Sequence, residues 1–299
     1  MFGIKSLKME RQIMDKKYIL TGFADEIAPE LDKQIEGIKG LGMKHIEMRG
    51  VDGNNLIFHS NEKVKEIKEK LDANGISLSA LGSPLGKIQI TDPFEKHFEE
   101  FKRAVEIAHL METPRIRMFS FYVPEDKHEM YKGEVFDRLG KFVDYAKSEE
   151  ILLLHENEKG IYGDKAAECR ELIDEFYGDN FKAIFDFANF VQVGQDTLEA
   201  YELLKDFIVY VHVKDALSKD GSVVPAGLGN GNVKLILTKL FEKGFDGFLS
   251  LEPHLFDFVG FADLEQNNVS IASGKGRKLS GIEAFTLAHD ALIKVLGEI

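Results

Sequence analysis

One cysteine, Cys169, leaves this 299-residue chain without an intrachain disulfide or a thiolate zinc site. That suits a reducing cytoplasm, and a cytoplasmic protein is expected. No apolar run approaches the roughly 20 residues that a membrane helix needs. The first residues, Met1-Phe-Gly-Ile-Lys-Ser-Leu-Lys-Met-Glu, carry charge where a secretory signal needs its apolar stretch. Basic charge is also short. Lys and Arg number 38 against 51 Asp and Glu, a net charge of −13, which argues against a nucleic-acid partner and the basic face it requires. No G-x-G-x-x-G follows the first strand-like run, so a dinucleotide-binding sheet lacks its fingerprint. Low-complexity tracts and linkers are missing too. What is present is ordinary for a soluble globular chain with a large core: 44% hydrophobic and 30% charged residues.

The chain alternates short apolar runs with amphipathic, helix-period stretches. Residues 1–16 read as an N-terminal extension, with Met14 a second possible start, and residues 17–299 as one domain. Apolar runs of strand length lie at about 17–23, 43–48, 76–81, 115–121, 151–156, 182–187, 207–213 and 247–251. Between them, helical faces are spelled by Leu31, Ile35, Ile38 and Leu41; by Val64, Ile67 and Leu71; by Phe94, Phe98, Phe101, Val105 and Ala108; and by Val135, Leu139, Phe142 and Ala146. Further helices are expected at about 165–177, 198–204 and 233–241. The last begins at Ser280, where Ser280-Gly-Ile-Glu283 reads as a capping box. Eight strand-then-helix units imply parallel strands and helical crossovers, and at this length a closed (β/α)8 barrel fits better than an open sheet. The longest irregular stretch, His254–Leu279, reads as a lid, a subunit contact or a loop packed on its own barrel.

Four of the runs end in a metal-ligand residue type. Glu156 ends the fifth, Asp186 the sixth, His212 the seventh and Glu252 the eighth. Strand ends of a (β/α)8 barrel surround one pocket at its C-terminal face. Three carboxylates and one imidazole suit a single divalent ion: Mn²⁺, Co²⁺, Zn²⁺ or Mg²⁺. Side chains alternate across a strand, so an inward Glu156 puts His155 outside, and an inward His212 brings Lys214 inside. His254 shares the parity of Glu252. Glu47, Arg117, Glu158 and Asn189 complete the candidates for substrate contact. The loop Gly227-Leu-Gly-Asn-Gly231 is either a tight turn or a cradle of backbone amides for an anion.

Across residues 18–299 the chain resembles the xylose isomerase-like barrel superfamily, in its sugar phosphate isomerase/epimerase branch. The residues that carry the resemblance are Glu156-Asn157, Asp186-Phe-Ala-Asn189, His212-Val-Lys-Asp215, Pro225–Gly231 and Ser250-Leu-Glu-Pro-His254, with Gly22–Glu26 and Ile46–Arg49 at the first two strand ends. The resemblance implies that Glu156, Asp186, His212 and Glu252 bind the metal. Glu158 and Asn189 stand where many relatives carry histidine. The chemistry implied is metal-assisted proton abstraction beside a carbonyl through an ene-diolate, with Glu156 and Glu252 as base and acid. That gives an isomerase or epimerase of a small sugar, keto-sugar or sugar phosphate. The alternative is a dehydratase acting on a keto-polyol at the same site. A DNA-repair endonuclease of the superfamily would need more histidines and a basic groove. A non-catalytic sugar-binding barrel could do without one of the two glutamates, yet both are present. A homo-oligomer, dimer or tetramer, is implied by the resemblance alone.

Overall fold

The computed structural model describes residues 18–255 and 279–299. The N-terminal extension, and residues 256–278 of the expected lid or contact loop, lie outside the described residues. The apolar runs form eight strands: β1 (Ile19–Gly22), β2 (His45–Met48), β3 (Ser77–Gly82), β4 (Arg115–Met118), β5 (Leu152–Glu156), β6 (Phe181–Asp186), β7 (Ile208–Val213) and β8 (Phe248–Leu251). They pair in parallel in the order β1-β8-β7-β6-β5-β4-β3-β2. β1 and β2, the two ends of that order, lie against each other. The result is a nearly closed (β/α)8 barrel.

Nine helices accompany the strands among the described residues: α1 (Leu31–Gly40), α2 (Asn61–Ala73), α3 (Phe94–Leu110), α4 (His128–Ser148), α5 (Ala166–Phe176), α6 (Phe187–Gln192), α7 (Thr197–Leu204), α8 (Val233–Glu242) and α9 (Gly281–Gly297). None is long and apolar enough to cross a membrane. Their starts follow side-chain chemistry. Ser60 accepts the amide of Lys63, Asp196 those of Leu198 and Glu199, and Ser280 and Glu283 close the capping box of α9. The apolar faces read from the sequence pack against the strands, with Phe98 and Leu41 only partly covered. Between α3 and α4 these faces make an aromatic cluster, in which the rings of Phe101 and Phe142 lie 4.5 Å apart. Each such side chain contributes about 1.5–3 kcal/mol by burial.

Two cores result. The larger fills the space between strands and helices. A smaller layer of Ala80, Leu154, Ile184, Tyr210 and Phe248 fills the barrel. Two bulges adjust which residues reach that inner layer. Pairing of β2 with β3 jumps from Ile46–Leu78 to Glu47–Ala80, leaving Ser79 extra. Pairing of β6 with β7 jumps from Ala183–Ile208 to Ile184–Tyr210, leaving Val209 extra. An extra residue resets the alternation of a strand. Ile208 therefore packs outside the barrel, while Val209 and Tyr210 both meet its inner layer.

Besides short hairpins at residues 50–55 and 215–224, two elements at the strand ends differ from the sequence reading. β4 stops at Met118 rather than running to residue 121. Beyond it Phe121 takes a left-handed φ of 67°, and Gly86, at φ 85°, packs where a Cβ would come within 2.0 Å of the Phe119 carbonyl oxygen. The close passage of these two loops ends the strand. The second difference is α6, one short helix directly after β6, capped by the Asp186 side chain on the Asn189 amide at 2.8 Å.

Candidate metal centre

The ends of β5 to β8 bring Glu156, Asp186, His212 and Glu252 together. One ligand atom from each lies within 4.8 Å of the others, and all four residues are buried. Their backbone is held by neighbours. Asn157 accepts the Asp186 amide at 2.9 Å and donates to the Asp186 carbonyl at 3.1 Å, which ties the end of β5 to that of β6. Asp186 uses Oδ1 to cap α6, so only Oδ2 is left for the centre.

The two glutamates are held alike. Glu156 takes a hydrogen bond from Arg117 Nη1 on Oε2 at 3.1 Å, and its Oε1 lies 2.9 Å from His212 Nδ1. Glu252 takes Arg49 Nη1 on Oε1 at 3.2 Å, and its Oε2 lies 3.1 Å from Lys214 Nζ. In each, a guanidinium grips one oxygen and the other faces the centre. Lys214 Nζ also lies 3.3 Å from Asp186 Oδ2. The sequence reading overlooked Arg49. It is buried on the ring of Phe23 and bonded by Asp25 at 2.8 Å and 3.1 Å. The signal was available, since Arg49 stands two residues after Glu47 and shares its parity. Asp25 and Glu26 belong to the Gly22–Glu26 stretch at the end of β1. Glu26 Oε2 accepts the backbone amide of His254 at 2.7 Å.

The electrostatics follow from burial against neighbours. Burial pushes the Asp186 carboxyl up to about 7, with Glu252 and Glu156 adding to the rise and Lys214 opposing it. Burial alone would lower His212, but the carboxylates of Glu156 and Glu47 raise it well above its ordinary value. Burial likewise works to raise Glu252, yet Lys214, His254 and His212 hold it well below the carboxylate range. Glu26 is pushed up to about 7 by burial. His254, resisted by burial and Lys214, is raised to about 9 by Glu26 and Glu252.

A divalent ion fits this donor set. Asp186 Oδ2 and His212 Nδ1 are buried without a hydrogen-bond partner. The imidazole nitrogen and the Glu156 oxygen beside it are both electron-pair donors once the ring is neutral, and a cation between them satisfies both. Three carboxylates so close also favour a positive charge among them.

The remaining candidates fall into distinct places. His155 points away from the centre, bonded to Ser120 Oγ at 3.0 Å, and burial lowers it to about 3. His254 lies 3.4 Å from Glu252 Oε1, on a backbone with φ 45°. Glu158 pairs with Lys87 at 2.9 Å. Asn189 donates to Glu156 Oε1 at 3.4 Å and to the Asn157 carbonyl at 2.9 Å, while its own Oδ1 is buried without a partner. Arg117 keeps its Nε unpartnered. Glu47 sits behind His212, with its oxygens engaged by Tyr210, Ser250 and the far ring nitrogen of His212. The glycine-rich loop does cradle an anion, but an internal one. The amides of Gly227, Gly229 and Gly231 donate to Asp215 at 3.0, 2.9 and 2.9 Å.

The xylose isomerase-like TIM barrel family model matches residues 35–267. A curated 3-dehydroshikimate dehydratase of Bacillus anthracis is 23% identical over 231 residues, which are 75% of this chain and 81% of that protein. A structure of a D-tagatose 3-epimerase-like protein superposes with a TM-score of 0.67 at 19% identity, covering 94% of this chain and 99% of the other. A structure of the IOLI protein with a bound zinc atom reaches a TM-score of 0.70 at 19% identity, over 94% and 98%.

Proposed function

Because the chain belongs to the xylose isomerase-like TIM barrel family, we propose that it is a divalent-metal-dependent isomerase or epimerase of a small sugar, keto-sugar or sugar phosphate. The observation that carries this reading is the convergence of Glu156, Asp186, His212 and Glu252, with two buried ligand atoms, Asp186 Oδ2 and His212 Nδ1, outside any hydrogen bond. Zinc in the IOLI relative supports it. Held by these four residues, a divalent ion would supply Lewis-acid polarisation of a substrate carbonyl.

The other work falls to side chains. Glu252, kept ionised chiefly by Lys214 and His254, takes a proton from the carbon beside the carbonyl on Oε2. Glu156 comes from β5, three strands away across the pocket, and serves the opposite face with Oε1. Proton removal on one face and return on the other inverts a carbon, which is epimerisation. Return by the same carboxylate to the neighbouring carbon is aldose–ketose isomerisation. Lys214 offsets the negative charge that builds up when the proton leaves. Asn189 Oδ1 and Arg117 Nε offer an acceptor and a donor for substrate hydroxyls, and His254 and the Lys87–Glu158 pair complete the polar lining. The loop after β7 gives no support for a phosphorylated substrate, since Asp215 takes its amides.

A second reading, dehydration of a keto-polyol, is favoured by the Bacillus anthracis dehydratase and by the Lys214 ammonium, a proton donor for a departing hydroxyl. Both readings begin with the same proton abstraction, and the products part them. Metal-loaded protein in D₂O should place deuterium beside the carbonyl of its ketose substrate at unchanged skeleton mass. A product lighter by one water would establish the dehydratase. In Glu252→Gln exchange should fall by at least about 100-fold, and a variant as active as the wild type would remove Glu252 from the chemistry.

A further inference from the structure

Glu47 is fully buried inside the barrel, where a charged side chain costs more to bury than an apolar one. Its Oε2 accepts hydrogen bonds from Ser250 Oγ at 2.6 Å and Tyr210 Oη at 2.8 Å. His212 Nε2 lies 3.1 Å from the same oxygen and 3.3 Å from Oε1. Tyr210 Oη reaches Ser79 Oγ at 2.9 Å, and Ser79 reaches Thr21 Oγ1 at 2.8 Å. Side chains of β1, β2, β3, β7 and β8 thus form one buried polar layer beneath the centre. The bulges build it, because Ser79 is one extra residue and Val209, the other, sets Tyr210 and His212 facing inward.

The chemistry of this layer bears on one atom. A carboxylate accepts and never donates, so the ring nitrogen facing Glu47 must carry its proton. That nitrogen is Nε2, and Nδ1 is the one turned to Glu156. Without Glu47, the carboxylates of Glu156, Asp186 and Glu252 would draw the proton of a neutral ring to Nδ1, and Nδ1 would then offer no electron pair. We propose that Glu47 is a positioning residue: by holding the proton on Nε2 and the plane of the ring, it makes Nδ1 the atom that His212 presents to a cation. The proposal rests on the metal reading above and gives that reading a part the four ligands do not contain.

The test combines zinc-binding calorimetry with two-bond ¹H–¹⁵N spectra of zinc-loaded protein carrying ¹⁵N-histidine, for the wild type and Glu47→Gln. Glutamine keeps the size of the side chain, but its NH₂ can face Nε2. The wild type should bind Zn²⁺ with His212 metallated on Nδ1 and protonated on Nε2. Glu47→Gln should bind it about 10–100-fold more weakly, with the His212 nitrogen shifts altered. Equal affinity and an unchanged His212 spectrum in Glu47→Gln would overturn the role of Glu47 and leave the metal site standing. A wild type that binds no Zn²⁺ would instead overturn the metal reading beneath it. If Glu47→Gln does not fold, the wild-type spectrum still decides, because His212 metallated on Nε2 would overturn the proposal.

Discussion

At the scale of the residue, the centre is a set of carboxylates made tolerable by specific partners. Arg117 supports Glu156 in the buried interior, so Arg117→Met should cost about 3–5 kcal/mol, the usual penalty for stripping one partner from a buried pair. Urea denaturation of the metal-free protein measures it, and a loss below 1 kcal/mol would mean that Glu156 is held by other groups. Asp164 tests burial without such a partner. Its Oδ1 lacks a hydrogen bond, and burial pushes the carboxyl from its ordinary 3.8 to about 6. The folded state then holds the proton more tightly than the unfolded chain. Stability on this account is full below about pH 4 and is lost as pH rises through 6. Asp164→Asn should therefore stabilise the protein by about 1–2 kcal/mol at pH 8 and leave it unchanged near pH 4. A gain of the same size at both values would rule out ionisation as the cause. Residue types at strand ends made Glu156, Asp186, His212 and Glu252 legible in the sequence. Arg49, Asp25 and Lys87 were less so, because a guanidinium or ammonium finds its partner across the barrel and no sequence spacing records that.

At the scale of the element, the strand–helix alternation was readable because each period is enforced by burial on one face. The helix starts were readable where a side chain closes them, as at Ser60 and Ser280. Bulges were not, because Ser-Leu-Ser-Ala in β3 and Ile-Val-Tyr in β7 satisfy the same pattern with or without an extra residue. The consequence reaches the site, since the parity of His212 depends on Val209 being extra. The loop after β7 also needed three dimensions. Its glycines permit close approach, and a Cβ on Gly229 would lie 2.3 Å from Asp215 Oδ1. Four backbone amides, those of Ala216, Gly227, Gly229 and Gly231, converge on that one carboxylate. Asp215→Asn keeps the shape and removes the charge. It should destabilise the protein by about 2–4 kcal/mol, read in thermal or urea unfolding, and should speed amide exchange at residues 225–231. Unchanged exchange there would show that the loop is held by other contacts.

At the scale of the whole molecule, a barrel concentrates buried carboxylates at one end and spreads −13 over its surface and interior together. A cation bound at that end should stabilise the folded state by mass action, by about 2.7 kcal/mol at a hundredfold excess over Kd. Binding should also release protons, since His212 and Asp186 must both be unprotonated to serve as ligands and their surroundings raise both above their ordinary values. Affinity should accordingly tighten as pH rises from 6 to 8, and a flat profile would contradict the assignment of these two ligands. The measurement that bears most directly on the whole is the metal content of the purified protein beside that of an Asp186→Ala, His212→Ala double variant that still folds. About one divalent ion per chain in the wild type, absent from the variant, is expected for a shared four-residue site. Equal content in the two, or none in the wild type after reconstitution with Mn²⁺, Co²⁺ and Zn²⁺, would contradict it.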